Sequence, residues 1–270
     1  MTPWYMARLA GLDLETSGKD PHEAFIVSYC VALTGGGHDL WVRDVVLSPG
    51  DRDIPAEASA VHHITTEHAR EYGLDHRESV DSVASFVAGA LAKGIPVVAH
   101  NAAYDLSVIE AECRREELPT IAERLGGSLV PVIDSMVLDK HCAPFRRRVS
   151  EDQGPYQLRT TSEMYGLGWD EDLAHGSRYD AMQALQSAIR IGWIAHTPEY
   201  LRPDWVRELR TQRFDDLAGV SAVDLHALQV RWAAEDAAGL QDWFRNKAPD
   251  GKRDPEAVVD GAWPLKSPAP

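Results

Sequence analysis

The sequence predicts an α/β fold in which helices flank a mixed sheet, and three observations support this prediction. Three segments near the amino end are rich in β-forming residues. From residue 78 onward, short apolar stretches alternate with segments of helical periodicity. A further helical segment follows Pro198 and Pro203, which interrupt the pattern. A strand meander followed by alternating strands and helices is typical of a mixed sheet with helices on its faces.

The first three strands form the expected antiparallel meander. In the first of them, Leu12 and Leu14 point to one face and Asp13 and Glu15 to the other, because side chains alternate along a strand. The segment GGGHD separates the second strand from the third and is a turn signal. These strands are predicted at residues 8–15, 25–33 and 40–47.

The alternating part of the chain supplies the other two strands and the flanking helices. The apolar run PVVA is typical of a short buried strand, and LVPVID is a second one, weakened by Pro131 because proline donates no ladder hydrogen bond. The fourth and fifth strands are therefore predicted at 96–99 and 129–134. Helices are predicted at 78–92, 104–116, near 157–166 and at 177–195.

The carboxyl-terminal third predicts a helical extension followed by a tail. We expect a domain at 1–195, a helical extension at 196–247 and an extended or disordered tail, rich in Pro, Gly and Asp, at 248–270. The long helix of the extension begins at Ser221, a suitable N-cap. Its apolar stripe includes Trp232, and Gln229 interrupts it. We expect this stripe to pack on the domain, within the chain or across a dimer, rather than to bind nucleic acid.

Composition narrows the functional classes. The formal net charge of −15 over 270 residues argues against a protein that coats nucleic acid broadly, but it is compatible with a site that takes in one strand end. The three cysteines form no CxxC pair, which argues against a disulfide framework or a structural zinc site. Neither a signal peptide nor a membrane span is predicted, so we expect a cytoplasmic protein without membrane contact.

Acidic residues occur in three groups that could share one site. Asp13 and Glu15 lie two residues apart on a strand and could hold a divalent ion, although a solvated edge strand would also explain them. Asp105 falls in the first turn of a helix, where Asn101 could be the cap and where the helix dipole alone favours a carboxylate. Asp180 lies inside a helix that starts near Gly176, and His175 lies in the loop before it.

Taken together, these groups resemble a known family. The motifs LDLETSG, HNAAYD and HGSRYD, in this order, resemble the three exonuclease motifs of the DEDDh, or DnaQ-like, 3′–5′ exonucleases, to which proofreading subunits of bacterial DNA polymerases belong. The resemblance covers roughly residues 8 to 192 and includes Leu158 and the stretch 165–167. It implies a ribonuclease H-like fold with a five-stranded mixed sheet.

The resemblance also implies roles for individual residues. His175 would be the general base, with an ordinary pKa near 6.5 that nearby carboxylates would raise. Asn101 would support the site, Tyr104 could stack on a base, and the segment 62–65 resembles a family loop near the substrate. Four acids would hold two Mg²⁺ or Mn²⁺ ions: Asp13, Glu15, Asp105 and Asp180. The terminal nucleotide would contact Thr16 and Ser17.

The expected activity is hydrolysis of single-stranded DNA from its 3′ end to nucleoside monophosphates, as in repair or proofreading. An exoribonuclease of the same family is an open alternative, because the motifs serve both polymers. A catalytically silent nucleic-acid-binding module is a second alternative, although such a module would be expected to lack a metal ligand. A homodimer and a polymerase partner are both compatible with the sequence.

Overall fold

The computed structural model describes residues 2–268 and contains a five-stranded sheet in the order β3-β2-β1-β4-β5. The first three strands form the antiparallel meander that the sequence predicts, and the last two run parallel to the first. The strands are β1 (Leu9–Thr16), β2 (Ile26–Thr34), β3 (Trp41–Val46), β4 (Val97–Ala99) and β5 (Val132–Asp134). The mixed sheet with flanking helices is confirmed.

Ten α-helices accompany this sheet among the described residues. The helices are α1 (Ala56–His62), α2 (Thr66–Tyr72), α3 (His76–Ala92), α4 (Ala102–Arg115), α5 (Ile121–Leu125), α6 (Ser135–Cys142), α7 (Leu158–Met164), α8 (Ser177–Ala195), α9 (Asp204–Arg207) and α10 (Ala222–Asp242). Sequence periodicity does not identify α1, α2, α5, α6 and α9. Each of these five has at most eight residues, too few turns for a periodic signal.

The strand that carries Asp13 and Glu15 lies in the middle of the sheet. Because β1 pairs with β2 on one side and with β4 on the other, a solvated edge strand does not explain the two acids. Leu12 and Leu14 are buried on the opposite face. The register of β1 against β2 shifts between Glu15 and Thr16, and such a bulge re-aims the side chains at the end of a strand.

Helix α8 packs directly on β1 because residue 11 is glycine. A Cβ atom placed on Gly11 would lie 2.4 Å from the Cδ1 atom of Leu185 in α8. Any side chain at this position would therefore have to displace Leu185 or the helix that carries it. Since α8 also carries Asp180, this close approach helps to bring Asp180 toward Asp13.

Side chains of α10 cover the outer edge of β5. The backbone N–H of Val132 donates to Nδ1 of His226 at 3.1 Å, and its carbonyl accepts from Nε2 of Gln229 at 3.1 Å. The backbone N–H of Asp134 donates to Oε1 of Gln229 at 2.7 Å. An unpaired strand edge is costly when buried and invites aggregation when exposed, so the helix replaces the missing neighbour strand. The buried Gln229 thus interrupts the apolar stripe for a structural reason.

The prediction that the long carboxyl-terminal helix packs on the domain is confirmed. Leu225 and Trp232 of α10 are buried, and Trp232 stacks on the ring of His141 in α6 with 3.6 Å between the ring centroids. The stripe is buried only over its first half, because Leu240 and Trp243 are exposed.

Residues 248–268 contain no helix or strand, yet Trp263 is buried against the domain. The division of the chain at 195 and 247 stays a prediction. No helix in the described part of the chain has the length and apolar character needed to cross a membrane.

We expect Trp232→Ala to lower the free energy of unfolding by about 3–5 kcal/mol, because only 7% of this side chain is exposed and its removal leaves a cavity. The matched control is Trp243→Ala on the same helix, where the side chain is 36% exposed and the loss should be at most about 1 kcal/mol. Urea unfolding of both variants checks this. Equal losses would contradict the packing that we describe.

Candidate active site

Three of the four predicted acids converge at the carboxyl end of β1. Carboxylate oxygens of Asp13, Glu15 and Asp180 all lie within 4.8 Å of one another. Asp105, in the first turn of α4, is outside this trio, but its charge raises the pKa of both Asp13 and Glu15. The structure therefore brings together side chains that are up to 167 positions apart in the sequence, from 13 to 180.

Burial and mutual repulsion make the ionised state of these acids unfavourable. Burial is the main cause that raises the pKa of Asp13, followed by the charges of Asp105, Glu15 and Asp180. The same two effects raise the pKa of Glu15 to about 9. Burial raises the pKa of Asp180 to about 7, and burial followed by the charge of Asp134 raises the pKa of Asp105. A cation at this position would relieve the repulsion.

Two carboxylate oxygens in the cluster are buried without a hydrogen-bond partner. These atoms are Oδ2 of Asp13 and Oδ1 of Asp180, and neither has a partner among residues 2–268. Buried polar atoms nearly always have a hydrogen-bond partner, so two unpartnered carboxylate oxygens beside a third carboxylate indicate a binding site for a ligand. Carboxylate oxygens are the ligands that Mg²⁺ and Mn²⁺ prefer. The residues present therefore fit a divalent metal ion.

Asp134, at the end of β5, fixes the helix that carries Asp105. One of its carboxylate oxygens accepts from the backbone N–H of Asn101 at 3.0 Å and of Met136 at 2.9 Å, and the other accepts from the N–H of Ala102 at 2.9 Å. The prediction that Asn101 is the N-cap residue of α4 is confirmed, but its side chain does not supply the capping bond. Asn101 is left-handed (φ 70°) and makes no side-chain cap bond. The carboxylate of Asp134 accepts the bonds at the start of the helix instead.

Sequence reasoning did not assign a role to Asp134. An aspartate that ends a strand directly before a serine is a helix-capping signal, but the capped helix α6 is itself too short to be recognised. Its further contact with the start of α4 depends on the parallel pairing of β4 and β5. Only the folded chain shows that contact.

The start of α8 places Asp180 and His175. As predicted, the helix begins at Ser177, whose hydroxyl donates to Oδ1 of Asp44 in β3 at 3.1 Å. His175 lies in the preceding loop with a left-handed backbone (φ 59°) and an exposed side chain. Partial desolvation, followed by the nearby His63, lowers the pKa of His175. Glu171 raises this pKa in the direction that the sequence suggests, but desolvation and His63 outweigh it, so the pKa is lowered overall.

Thr16, Ser17 and Tyr104 are joined to the turn that follows β1. The hydroxyl groups of Thr16 and Tyr104 lie 2.5 Å apart, and that of Tyr104 also donates to the carbonyl of Gly18. Oγ of Ser17 accepts from the backbone N–H of Phe25 at 2.9 Å. These bonds link the turn to α4 and to the start of β2, so the three predicted residues form a braced group beside the acids.

Two cavities adjoin the acids. A cleft of about 720 Å³ is lined by Asp13 and Asp180, and also by Asn101, His175 and the half-buried Trp169. Sequence reasoning did not single out Trp169.

A smaller cavity of about 290 Å³ lies at Glu15, Thr16 and Ser17. His62 lines it with a buried ring, and its Nδ1 accepts from the N–H of Ile64 at 3.2 Å. Its Nε2 has no partner among residues 2–268. The predicted substrate loop at 62–65 is therefore adjacent to the site.

A mixed sheet with acids clustered at the end of its central strand defines a nuclease of the ribonuclease H-like class. The exonuclease family model of RNase T type matches residues 11–187, which is more than half of the chain, so the chain belongs to this exonuclease family. This match confirms the resemblance to DEDDh-type, DnaQ-like exonucleases. No curated protein matches the chain significantly.

Solved structures of exonuclease I share the fold at low sequence identity. The chain is similar to exonuclease I from Methylocaldum szegediense with a TM-score of 0.53 and 17% identity, over 68% of this chain and 40% of that one. It is also similar to E. coli exonuclease I in complex with a dT13 oligonucleotide. The TM-score is 0.53 and the identity 16%, over 70% of this chain and 41% of that one. The matched region thus spans about 40% of those proteins.

Removal of the charge of Asp180 should stabilise the metal-free protein in a pH-dependent way. Its pKa of about 7 in the folded chain exceeds the ordinary value of 3.8, so folding disfavours the charged form. The resulting loss of folding stability begins as the pH rises past the ordinary pKa of 3.8 and is complete above the pKa of about 7 in the folded protein. Asp180→Asn should therefore stabilise by roughly 2–3 kcal/mol more at pH 8 than at pH 5. Urea unfolding in EDTA measures this difference. Asp51→Asn, at an exposed residue, is the control. A pH-independent effect would contradict the unfavourable burial of the charged carboxylate.

Proposed function

We propose that the protein hydrolyses single-stranded DNA from its 3′ end and releases nucleoside monophosphates. The observation that carries this proposal is the cluster of Asp13, Glu15 and Asp180 with its buried, unpaired carboxylate oxygens, beside Asp105. These four acids would hold two Mg²⁺ or Mn²⁺ ions. Such ions neutralise a phosphate and stabilise the attacking and leaving oxygens of phosphodiester hydrolysis. Removal of single nucleotides from 3′ ends is the chemistry that repair and proofreading require.

The structural neighbours favour DNA as the substrate class. Exonuclease I of E. coli has been solved with dT13 and with single-stranded DNA. The chain shares only the fold with these proteins, so the transfer of a substrate to this chain is part of the proposal. The exoribonuclease alternative rests on the motifs alone, because no contact to a 2′-hydroxyl group follows from the described residues.

His175 acts as the general base in this proposal. It lines the cleft together with Asp13 and Asp180, and its position in an exposed loop lets it reach the attacking water once a strand is bound. Its lowered pKa keeps the ring neutral, and therefore able to accept a proton, over a wider pH range. The acids would hold the ions that bind the phosphate, and the imidazole of His175 would remove a proton from the attacking water.

The small cavity beside Glu15 receives the terminal nucleotide. Thr16 and Ser17 line it, as does His62, whose buried Nε2 atom has no hydrogen-bond partner within residues 2–268 and is left for a polar group of the substrate. Tyr104 braces Thr16 through the 2.5 Å hydroxyl contact. Asn101 lines the neighbouring cleft and supports the strand that enters it. Both cavities thus contribute to one substrate path.

We expect a 5′-labelled single-stranded DNA oligomer to be shortened one nucleotide at a time when Mg²⁺ or Mn²⁺ is present, with mononucleotides as the other product. Asp13→Asn should reduce the rate by at least about 100-fold, because a ligand of the cluster is lost. Product ladders on a gel measure polarity and rate. Asp51→Asn is again the control with wild-type activity expected.

Each outcome of this experiment has a definite meaning. Hydrolysis in excess EDTA would contradict the metal-dependent mechanism, and shortening from the 5′ end would contradict the polarity. Faster shortening of an RNA oligomer would favour the exoribonuclease alternative. Binding of either oligomer without any cleavage would favour the catalytically silent module.

His175→Ala should lower kcat by about 10²–10⁴-fold with a smaller effect on KM, because a general base acts in the transition state. In the wild type, the acid limb of the pH–rate profile should lie below the ordinary imidazole value of 6.5, since desolvation and His63 lower the pKa. In His63→Ala this limb should move to higher pH. Wild-type kcat in His175→Ala would exclude the role.

A further inference from the structure

We propose that the loop between α6 and α7, residues 143–157, binds the nucleotides that precede the terminal one. Phe145 would stack on a base and Arg147 would contact a phosphate. This inference rests on the proposed function, because it adds a second region of contact to the same single strand. It concerns a segment that the exonuclease motifs do not include.

The loop borders two neighbouring cavities that share lining residues. The cleft at Asp13 and Asp180 has residues 152–159 as its opposite wall. A second cavity of about 560 Å³ lies between α6, α10 and residues 259–266, and Phe145 lines it. Asn101 and Met136 line both cavities. A strand whose end reaches the acids can therefore continue past Asn101 into the second cavity.

Two of the three consecutive arginines hold the loop in place. The guanidinium group of Arg146 pairs with the buried Asp139 and lies over the ring of Tyr156, 4.6 Å from its centroid. The carbonyl of Tyr156 lies 3.0 Å from Nε2 of His100. Arg148 donates to carbonyl groups of its own loop. Because Arg146 and Arg148 hold this part of the loop in place in the free protein, binding through the neighbouring Phe145 and Arg147 costs little ordering entropy.

The residues on either side of the anchored Arg146 present an aromatic ring and an unpaired cation. Phe145 is 82% exposed, and its backbone is left-handed (φ 63°), which is unfavourable for a residue with a side chain. Arg147 is exposed and has no hydrogen bond or ion pair within residues 2–268. Aromatic stacking together with cationic contacts to the backbone is how proteins bind single strands without sequence preference.

The acids around the second cavity do not oppose a polyanion strongly. Asp236 pairs with Lys140 at 2.8 Å. Asp260 accepts hydrogen bonds from backbone N–H groups of the tail, among them that of Ser267 at 2.9 Å. Glu235 also lines this cavity and lies 3.8 Å from Arg231. Arg147, which has no ion-pair partner within residues 2–268, is thus an available cation close to Phe145 in the chain. Since α10 forms the far wall of this cavity, the strand passes beside a helix that the sequence predicted to be unrelated to nucleic acid.

The test compares a short substrate with a long one on the full chain. Phe145→Ala should raise KM for dT10 by about 5- to 150-fold, the effect of one lost base stack, and leave kcat and the KM for dT3 unchanged. The Kd for labelled dT10 in EDTA should rise by the same factor. Arg147→Gln should lower the slope of log Kd against log salt concentration by about 0.7. The matched controls are Tyr200→Ala, at a 75% exposed tyrosine, and Lys93→Gln, at an exposed lysine.

Oligouridylates of the same lengths form a second arm of the test, because base and phosphate are common to DNA and RNA. The loss of binding in the variants must appear with the polymer that the wild type binds more tightly. Variants that bind like the controls, or that lose dT3 and dT10 equally, would overturn the inference. If the wild type hydrolyses neither polymer but Phe145→Ala still loses binding of the long oligomer, the proposed function fails and this inference stands. Unchanged melting temperatures exclude misfolding.

Discussion

Asp134 accepts hydrogen bonds on both of its carboxylate oxygens, and the arrangement of the site depends on it. Three backbone N–H groups, of Asn101, Met136 and Val137, donate to one oxygen. The N–H of Ala102 and the indole of Trp263 donate to the other. One buried residue thus joins the end of β5 to the starts of α4 and α6 and to the tail. A charged acceptor with five donors is a strong and directional constraint, and it fixes the helix that carries Asp105.

The carboxylate cluster, in contrast to the hydrogen bonds of Asp134, is unfavourable for the stability of the metal-free fold. The backbone places four acids where burial and repulsion oppose their ionisation, and the surrounding contacts hold them there. The Asp134 bonds position α4, and the close approach at Gly11 positions α8. A site that is unfavourable without a cation and rigid in its geometry is preorganised to bind one, because no side chain has to be gathered at the moment of binding.

The charge distribution reconciles an acidic protein with an anionic substrate. A net charge of −15 repels nucleic acid at long range, and screening by salt limits this repulsion to distances near the Debye length. Binding then depends on a few local contacts rather than on a basic surface. The exposed cation at Arg147 and the ring of Phe145 supply such contacts near the cleft in our proposal. In the same proposal, the small cavity beside Glu15 would supply the specificity for a strand end.

The sequence by itself determined the meander, the alternation of strands and helices, and the three acidic motifs, because these depend on local periodicity and on residues close in the chain. Alternation alone placed Asp13 and Glu15 on one face, and the helix start at Ser177 was also a local signal. The long helix at the carboxyl end was predicted for the same reason.

Only the tertiary structure decided which hydrogen-bonding and charged groups interact with one another. The start of α4 is capped by Asp134 rather than by the side chain of Asn101, and this contact depends on the pairing of β4 with β5. Gln229 covers the edge of β5, although it lies nearly a hundred positions away in the sequence. The lowered pKa of His175 follows from burial and from His63, a neighbour that the chain order does not reveal. Hydrogen bonding, burial and charge act through distance in space, and a linear pattern does not record that distance.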